Sequence, residues 1–121
     1  MNRVVVTGLG VISPVGNNVK DFWSSLAAGK CGIAPITRFD TADFKAKVAA
    51  EVKDFDPAAY EIDKTTIRRT DLYAQYALAA AHQAVEDSGI MGSDAPERLG
   101  VYVGSCMGGM LTFDNETEKI M

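Results

Sequence analysis

The apolar residues of this 121-residue chain change period several times, and each change marks an element. Val4, Val5 and Val6 form an unbroken β-branched run, the pattern of a strand covered on both faces. It predicts a first strand over residues 3–11 that ends in a glycine turn. Beyond Gly16, the residues Val19, Phe22, Trp23 and Leu26 recur at i, i+3, i+4 and i+7. That spacing predicts an amphipathic helix with Asn18 as N-cap, Asp21 in its first turn and Gly29 closing it. Over residues 30–56 the pattern weakens, and only 48–52 reads as a short edge strand. Residues 70–88 are alanine-rich, with Leu72, Tyr76, Ala77, Leu78, Ala80, Ala81 and Val85 on several sides. They predict a long helix that is buried and that Gly89 terminates. Residues 99–103 repeat the buried-strand pattern, and a last helix starts at Met110.

The order β-α-(β)-α-β-α points to an α/β layered fold with a largely parallel core. Two well-marked strands make a thin sheet beside the roughly 4 to 6 of a typical one. Residues 117–121 also stop inside a helical pattern, without glycine, proline or a basic cap. The expectation is therefore a segment, 1–121, of a longer protein. Expressed alone it is expected to be rich in exposed apolar surface.

Hydrophobic residues make up 47% of the chain, enough to build one core. Twelve basic and sixteen acidic residues leave a net charge of −4 and a pI near 4.9. This balance speaks against a general attraction to nucleic acid or anionic lipid. No run resembles a signal peptide or approaches the roughly 20 apolar residues that span a bilayer, so the sequence predicts a soluble, cytoplasmic protein. Cys31 and Cys106 are too few for a disulfide scaffold and lack zinc-site spacing. Asp54 with Asp56, and Glu86 with Asp87, lack companions for a metal site and read as turn or cap residues.

Three stretches could carry chemistry. In Gly104-Ser-Cys-Met-Gly-Gly109, Cys106 lies between glycines at a strand-to-helix turn, the spacing of a nucleophile elbow, where a helix N-terminus favours the thiolate. Its base would have to be His82, the single histidine, in the middle of the long helix. Against this stands the high frequency with which a free cysteine is simply a small buried thiol. Next, Gly8 and Gly10 begin like a dinucleotide fingerprint. The third glycine position, however, holds Ser13 followed by Pro14, so the phosphate-cradling helix cannot start there. A structural turn with close backbone approach at the two glycines fits better. Finally, Lys64, Arg68 and Arg69 cluster within six residues. They read equally as a solvated helix edge and as a docking site for an acidic partner.

Taken in order, Arg3-Val-Val-Val-Thr-Gly-Leu-Gly-Val-Ile-Ser-Pro-Val-Gly16, Phe22-Trp23, Leu26-Ala-Ala-Gly29, Phe39-Asp40 and Gly104-Ser-Cys-Met-Gly-Gly109 resemble the N-terminal part of a β-ketoacyl-(acyl carrier protein) synthase. The resemblance runs along essentially the whole chain and is nearest to the elongating enzymes of bacterial fatty acid synthesis. It implies the opening part of the first half of a thiolase-like, five-layer α-β-α-β-α fold, usually a homodimer. It also implies decarboxylative condensation of an acyl thioester with malonyl-(acyl carrier protein), with no cofactor or metal. The family's nucleophilic cysteine, histidines and lysine lie in motifs that residues 1–121 do not contain, so the resemblance implies that the segment alone is inactive and, without its partner half and dimer mate, poorly stable. Cys106 then stands where the family commonly has a small residue, and Met107 matches a position bordering the acyl pocket. Cys106, Met107 and Gly108 are its expected wall. A position needing positive φ would strain Cys106 by about 1 to 3 kcal/mol. Lys64, Arg68 and Arg69 match the family's docking cations for acyl carrier protein. The alternatives are a noncatalytic partner subunit of chain-length-factor type and a small cysteine hydrolase using Cys106 and His82.

Overall fold

The computed structural model describes residues 3–92 and 96–121. Two compact units divide the chain, one of Val11–Phe55 and one of Met1–Gly10 with Asp56–Met121.

In the first unit, helix α1 spans Val19–Ala27 and begins and ends where its sequence signals lie. The Asp21 N–H donates to Asn18 Oδ1 at 2.9 Å, and Asn18 Nδ2 donates back to Asp21 Oδ2 at 2.7 Å. One free N–H of the first turn is thus satisfied, and a side-chain bond ties the cap to the residue that it serves. At the other end the Lys30 N–H donates to Ser25 O and the Gly29 N–H to Leu26 O, with Gly29 at φ +65°. This is a Schellman closure, which favours glycine for its left-handed backbone. Burial departs from the expected face. Ser25 is the buried side chain, Val19 and Phe22 are half-buried, and Trp23 is 69% exposed. Helical period decides which side chains share a face, but cover depends on what lies over that face.

The weakly patterned stretch supplies two strands, β1 (Ile33–Pro35) and β2 (Val48–Ala50). They pair antiparallel, Ile33 opposite Ala50 and Pro35 opposite Val48. Proline at the end of an edge strand sacrifices no ladder bond that matters. Glu51, just past β2, accepts from the Thr37 N–H and, at 2.7 Å, from its hydroxyl. The hydroxyl bond chiefly holds this carboxyl below its ordinary pKa.

The second unit is built on helices α2 (Lys64–Arg69), α3 (Leu72–Ser88) and α4 (Met110–Ile120). Asp63 caps α2, accepting from the N–H groups of Thr65 and Thr66 at 2.8 and 3.0 Å. Gly89, at φ +63°, ends α3 as expected, its N–H donating to Val85 O. Gly8 and Gly10 lie against α3: a Cβ on Gly8 would sit 2.2 Å from Ala84 O and one on Gly10 1.9 Å from Ala80 O. The expected close backbone approach is therefore present, and the glycines are consumed by packing. Asp87 holds the same segment, its Oδ2 accepting the Leu9 N–H at 3.0 Å.

Two expectations need correction. Val4, Val5, Val6 and residues 99–103 carry no ladder bonds, and Val4 is 91% and Tyr102 98% exposed. Strand-forming side chains give a run its preference, but a strand exists only when another strand pairs with it, and neither run meets one among the described residues. Helix α3 is also less buried than its composition predicts. Ala79 and Gln75 are buried, most of its apolar residues are half-buried, and Leu78 is exposed.

Candidate functional site

The turn at 104–109 opens helix α4. The Gly108 N–H donates to Ser105 Oγ at 3.0 Å, and Gly108 adopts φ +65°. Such a backbone favours glycine, because a Cβ would crowd the following carbonyl. Cys106 does not share it: among the described residues the non-glycine ones at positive φ are Asp54 and Glu61. The expected strain at Cys106 is thus absent, since the turn places its left-handed residue two positions later. Cys106 is exposed rather than a buried thiol, and Met107 is 69% exposed beside it.

His82 is engaged elsewhere. Its Nε2 lies 3.4 Å from Glu86 Oε2, one helical turn on. Its ring stands edge-on to Tyr60 at 6.5 Å. Burial, and secondarily the charge of Asp56, push the Tyr60 phenol above its ordinary pKa. Among the described residues Cys106 is not a hydrogen-bonding partner of His82, so no nucleophile and base are brought together. Asp56 itself caps the short turn Pro57–Tyr60 by accepting the Ala58 N–H, the cap role its sequence suggested.

Lys64, Arg68 and Arg69 all lie exposed on the six-residue helix α2. Neither arginine enters an ion pair among the described residues. The helix is fastened from below by Gln75, whose Nε2 donates to Ile67 O at 3.1 Å and Thr70 O at 2.8 Å. Its side chain is buried and satisfies carbonyls that the end of a helix leaves open.

Arg68 and Arg69 also line a cleft of about 820 Å³ whose other residues include Asp71, Thr112, Glu116 and Lys119. Asp71 spans the space between helices: its Oδ2 accepts the Thr112 N–H at 3.2 Å and its Oδ1 the Thr112 hydroxyl. Asp71 and Gln75 were not legible as site residues. Each occupies an ordinary cap or helix position in sequence, and its partner is distant or is a backbone carbonyl. Among the described residues no group of three or more His, Cys, Asp or Glu could hold a metal ion. No helix among them is long and apolar enough to cross a membrane.

Residues 1–120 match the family model described as "Beta-ketoacyl synthase, N-terminal domain". The chain belongs to this family. It is 56% identical over 121 residues to 3-oxoacyl-[acyl-carrier-protein] synthase 2 of Coxiella burnetii, covering 98% of this chain and 29% of that protein. Against the synthase of the same name from Vibrio cholerae it is 47% identical over 109 residues, covering 89% and 26%. A solved structure of the ishigamide ketosynthase/chain length factor superposes with a TM-score of 0.75 at 37% identity, covering 94% of this chain and 28% of that one. The fold is thus part of a thiolase-like α/β arrangement, as the resemblance implied. This β-ketoacyl synthase segment spans less than a third of the length of the relatives it matches.

Proposed function

We propose that this β-ketoacyl synthase segment serves a protein that condenses an acyl thioester with malonyl-(acyl carrier protein) in fatty acid chain elongation. The 56% identity to a named 3-oxoacyl-[acyl-carrier-protein] synthase 2 carries the reading. In the reaction an acyl group passes from the carrier thiol to a cysteine thiolate. Malonyl carrier loses CO2, and the resulting carbanion attacks the thioester carbonyl and expels the cysteine thiolate, leaving a chain longer by two carbons. The residues that perform these steps lie outside 1–121. This segment contributes the acyl-pocket wall at Cys106, Met107 and Gly108. An exposed, flexible thioether suits a wall that must yield as chains of different length enter. The segment also contributes the docking edge of Lys64, Arg68 and Arg69, exposed cations suited to steering an acidic carrier protein. A cytoplasmic homodimer is part of the proposal.

A second reading, a noncatalytic partner of chain-length-factor type, draws support from the likeness to the ishigamide ketosynthase/chain length factor structure. Full-length protein supplied with acyl and malonyl carrier proteins separates the two. Condensation predicts CO2 and a 3-oxoacyl product in equal amounts. Absence of both from folded protein alone, with activity restored only by a second synthase chain, would establish the partner reading instead.

A further inference from the structure

We propose that Asp71 is a positioning residue for the acyl-pocket turn, acting from the start of one helix as the cap of another; this rests on the pocket reading above. Helix α4 has Gly109 at its N-cap, which offers no side chain to the free N–H groups of the first turn. Thr112 is the third residue of that helix, and its N–H is the one a capping side chain ordinarily takes. Here Asp71 takes it, at 3.2 Å, and accepts the Thr112 hydroxyl with its other oxygen. The carboxylate makes no capping bond to its own helix α3; only its backbone carbonyl does, accepting from Ala74 and Gln75. A negative group at a helix N-terminus is also favoured by the helix dipole.

The two glycines of the turn have different reasons, and the second points to Asp71. Gly108 needs its φ of +65°. Gly109 sits at φ −84°, which any residue adopts, yet a Cβ there would meet Asp71 Oδ2 at 2.8 Å. A side chain at Gly109 would push the carboxylate off Thr112, so the bare glycine is what admits the cap. Through Gly109 and Gly108 the contact reaches Met107, and the Ser105 hydroxyl closes the loop on the Gly108 N–H. Asp71 therefore sets where the turn presents Met107, and with it the selectivity of the pocket for acyl length.

The test uses the full-length protein and carrier-linked hexanoyl and tetradecanoyl groups. Asp71→Ala is expected to shift the ratio of kcat/KM between the two by about tenfold, the size expected for losing hydrogen bonds to a charged group. KM for malonyl carrier protein should stay unchanged. Thr112→Val should shift the ratio in the same direction, and the double variant no further than Asp71→Ala alone. Alkylation by an uncharged thiol reagent, mapped by mass, should speed up several-fold at Cys106 and not at Cys31. Should Asp71→Ala fail to fold, Asp71→Asn keeps one acceptor and is expected to lie between wild type and Thr112→Val in both readouts. A wild-type ratio together with unchanged Cys106 alkylation, or additive effects of the two substitutions, would overturn the proposal. Wild-type protein without condensing activity would instead overturn the functional reading, while the alkylation comparison still decides the role of Asp71.

Discussion

Gly10 meets Ala80 backbone to backbone: a Cβ on the glycine would lie 1.9 Å from the alanine carbonyl oxygen. Gly8 repeats the contact one helical turn further along α3, at Ala84, and between them the Leu9 N–H is held by Asp87. The segment therefore runs along the helix at a distance only glycine permits. A nucleotide phosphate would need the same bare backbone that α3 already occupies.

Gly10→Ala is expected to destabilise the full-length protein by about 3 kcal/mol, the upper range for overpacking a tight contact, because the obstructing atom is a helix carbonyl that cannot step aside. Gly92→Ala is the control. Among the described residues no atom lies within 4 Å of a Cβ there, so its urea midpoint should match wild type within about 0.5 kcal/mol of stability.

Gln75→Leu keeps the buried volume but removes both donors to Ile67 O and Thr70 O. Leaving those carbonyls unsatisfied should cost about 1 to 3 kcal/mol. Faster amide hydrogen exchange in α2 than in the rest of the protein is the measurement, and uniform exchange rates would show that α2 is held by other contacts.

Arg68→Glu with Arg69→Glu should raise KM for carrier-linked acyl substrate about tenfold or more at low salt while leaving kcat nearly intact, since rim charges act mainly on encounter. The difference should shrink as ionic strength rises. An unchanged KM at low salt would remove the docking role from these residues.

Asp63 supplies a pH test. Its carboxylate accepts from the Thr66 hydroxyl, with Thr65 and Thr66 N–H bonds adding to it, and the Thr66 hydroxyl bond leads in holding its pKa below the ordinary value. A depressed folded pKa means the stabilisation is fully present above the unfolded pKa and is lost as pH falls through the folded one. Amide shifts of Thr65 and Thr66 should therefore move toward coil values only in strong acid. In Asp63→Ala they should be shifted already at neutral pH and show no such acid step.

Much of the helical framework could be read along the chain. Asn18 and Gly29 bracket α1, and Gly89 ends α3, because caps act within one turn of the residues that form them. The family was legible too, since short motifs in order suffice for it. The central strands were not realised among the described residues, although Val4, Val5 and Val6 have every local preference for one, because pairing needs a second strand. The unremarked stretch around Pro35, by contrast, supplied β1, once Val48 and its neighbours lay alongside.

Sequence alone was enough to specify the bounds of α1 and the glycine stops of α1 and α3, which depend on neighbours a few positions away, and, through short motifs in order along the chain, membership of the β-ketoacyl synthase family. Only folding in space could reveal that Asp71 serves Thr112, 41 positions on, that Asp87 serves Leu9, 78 positions back, and that Trp23 lies in solvent. A capping bond forms within a single turn of backbone, whereas burial and long-range hydrogen bonds depend on what distant parts of the chain bring alongside.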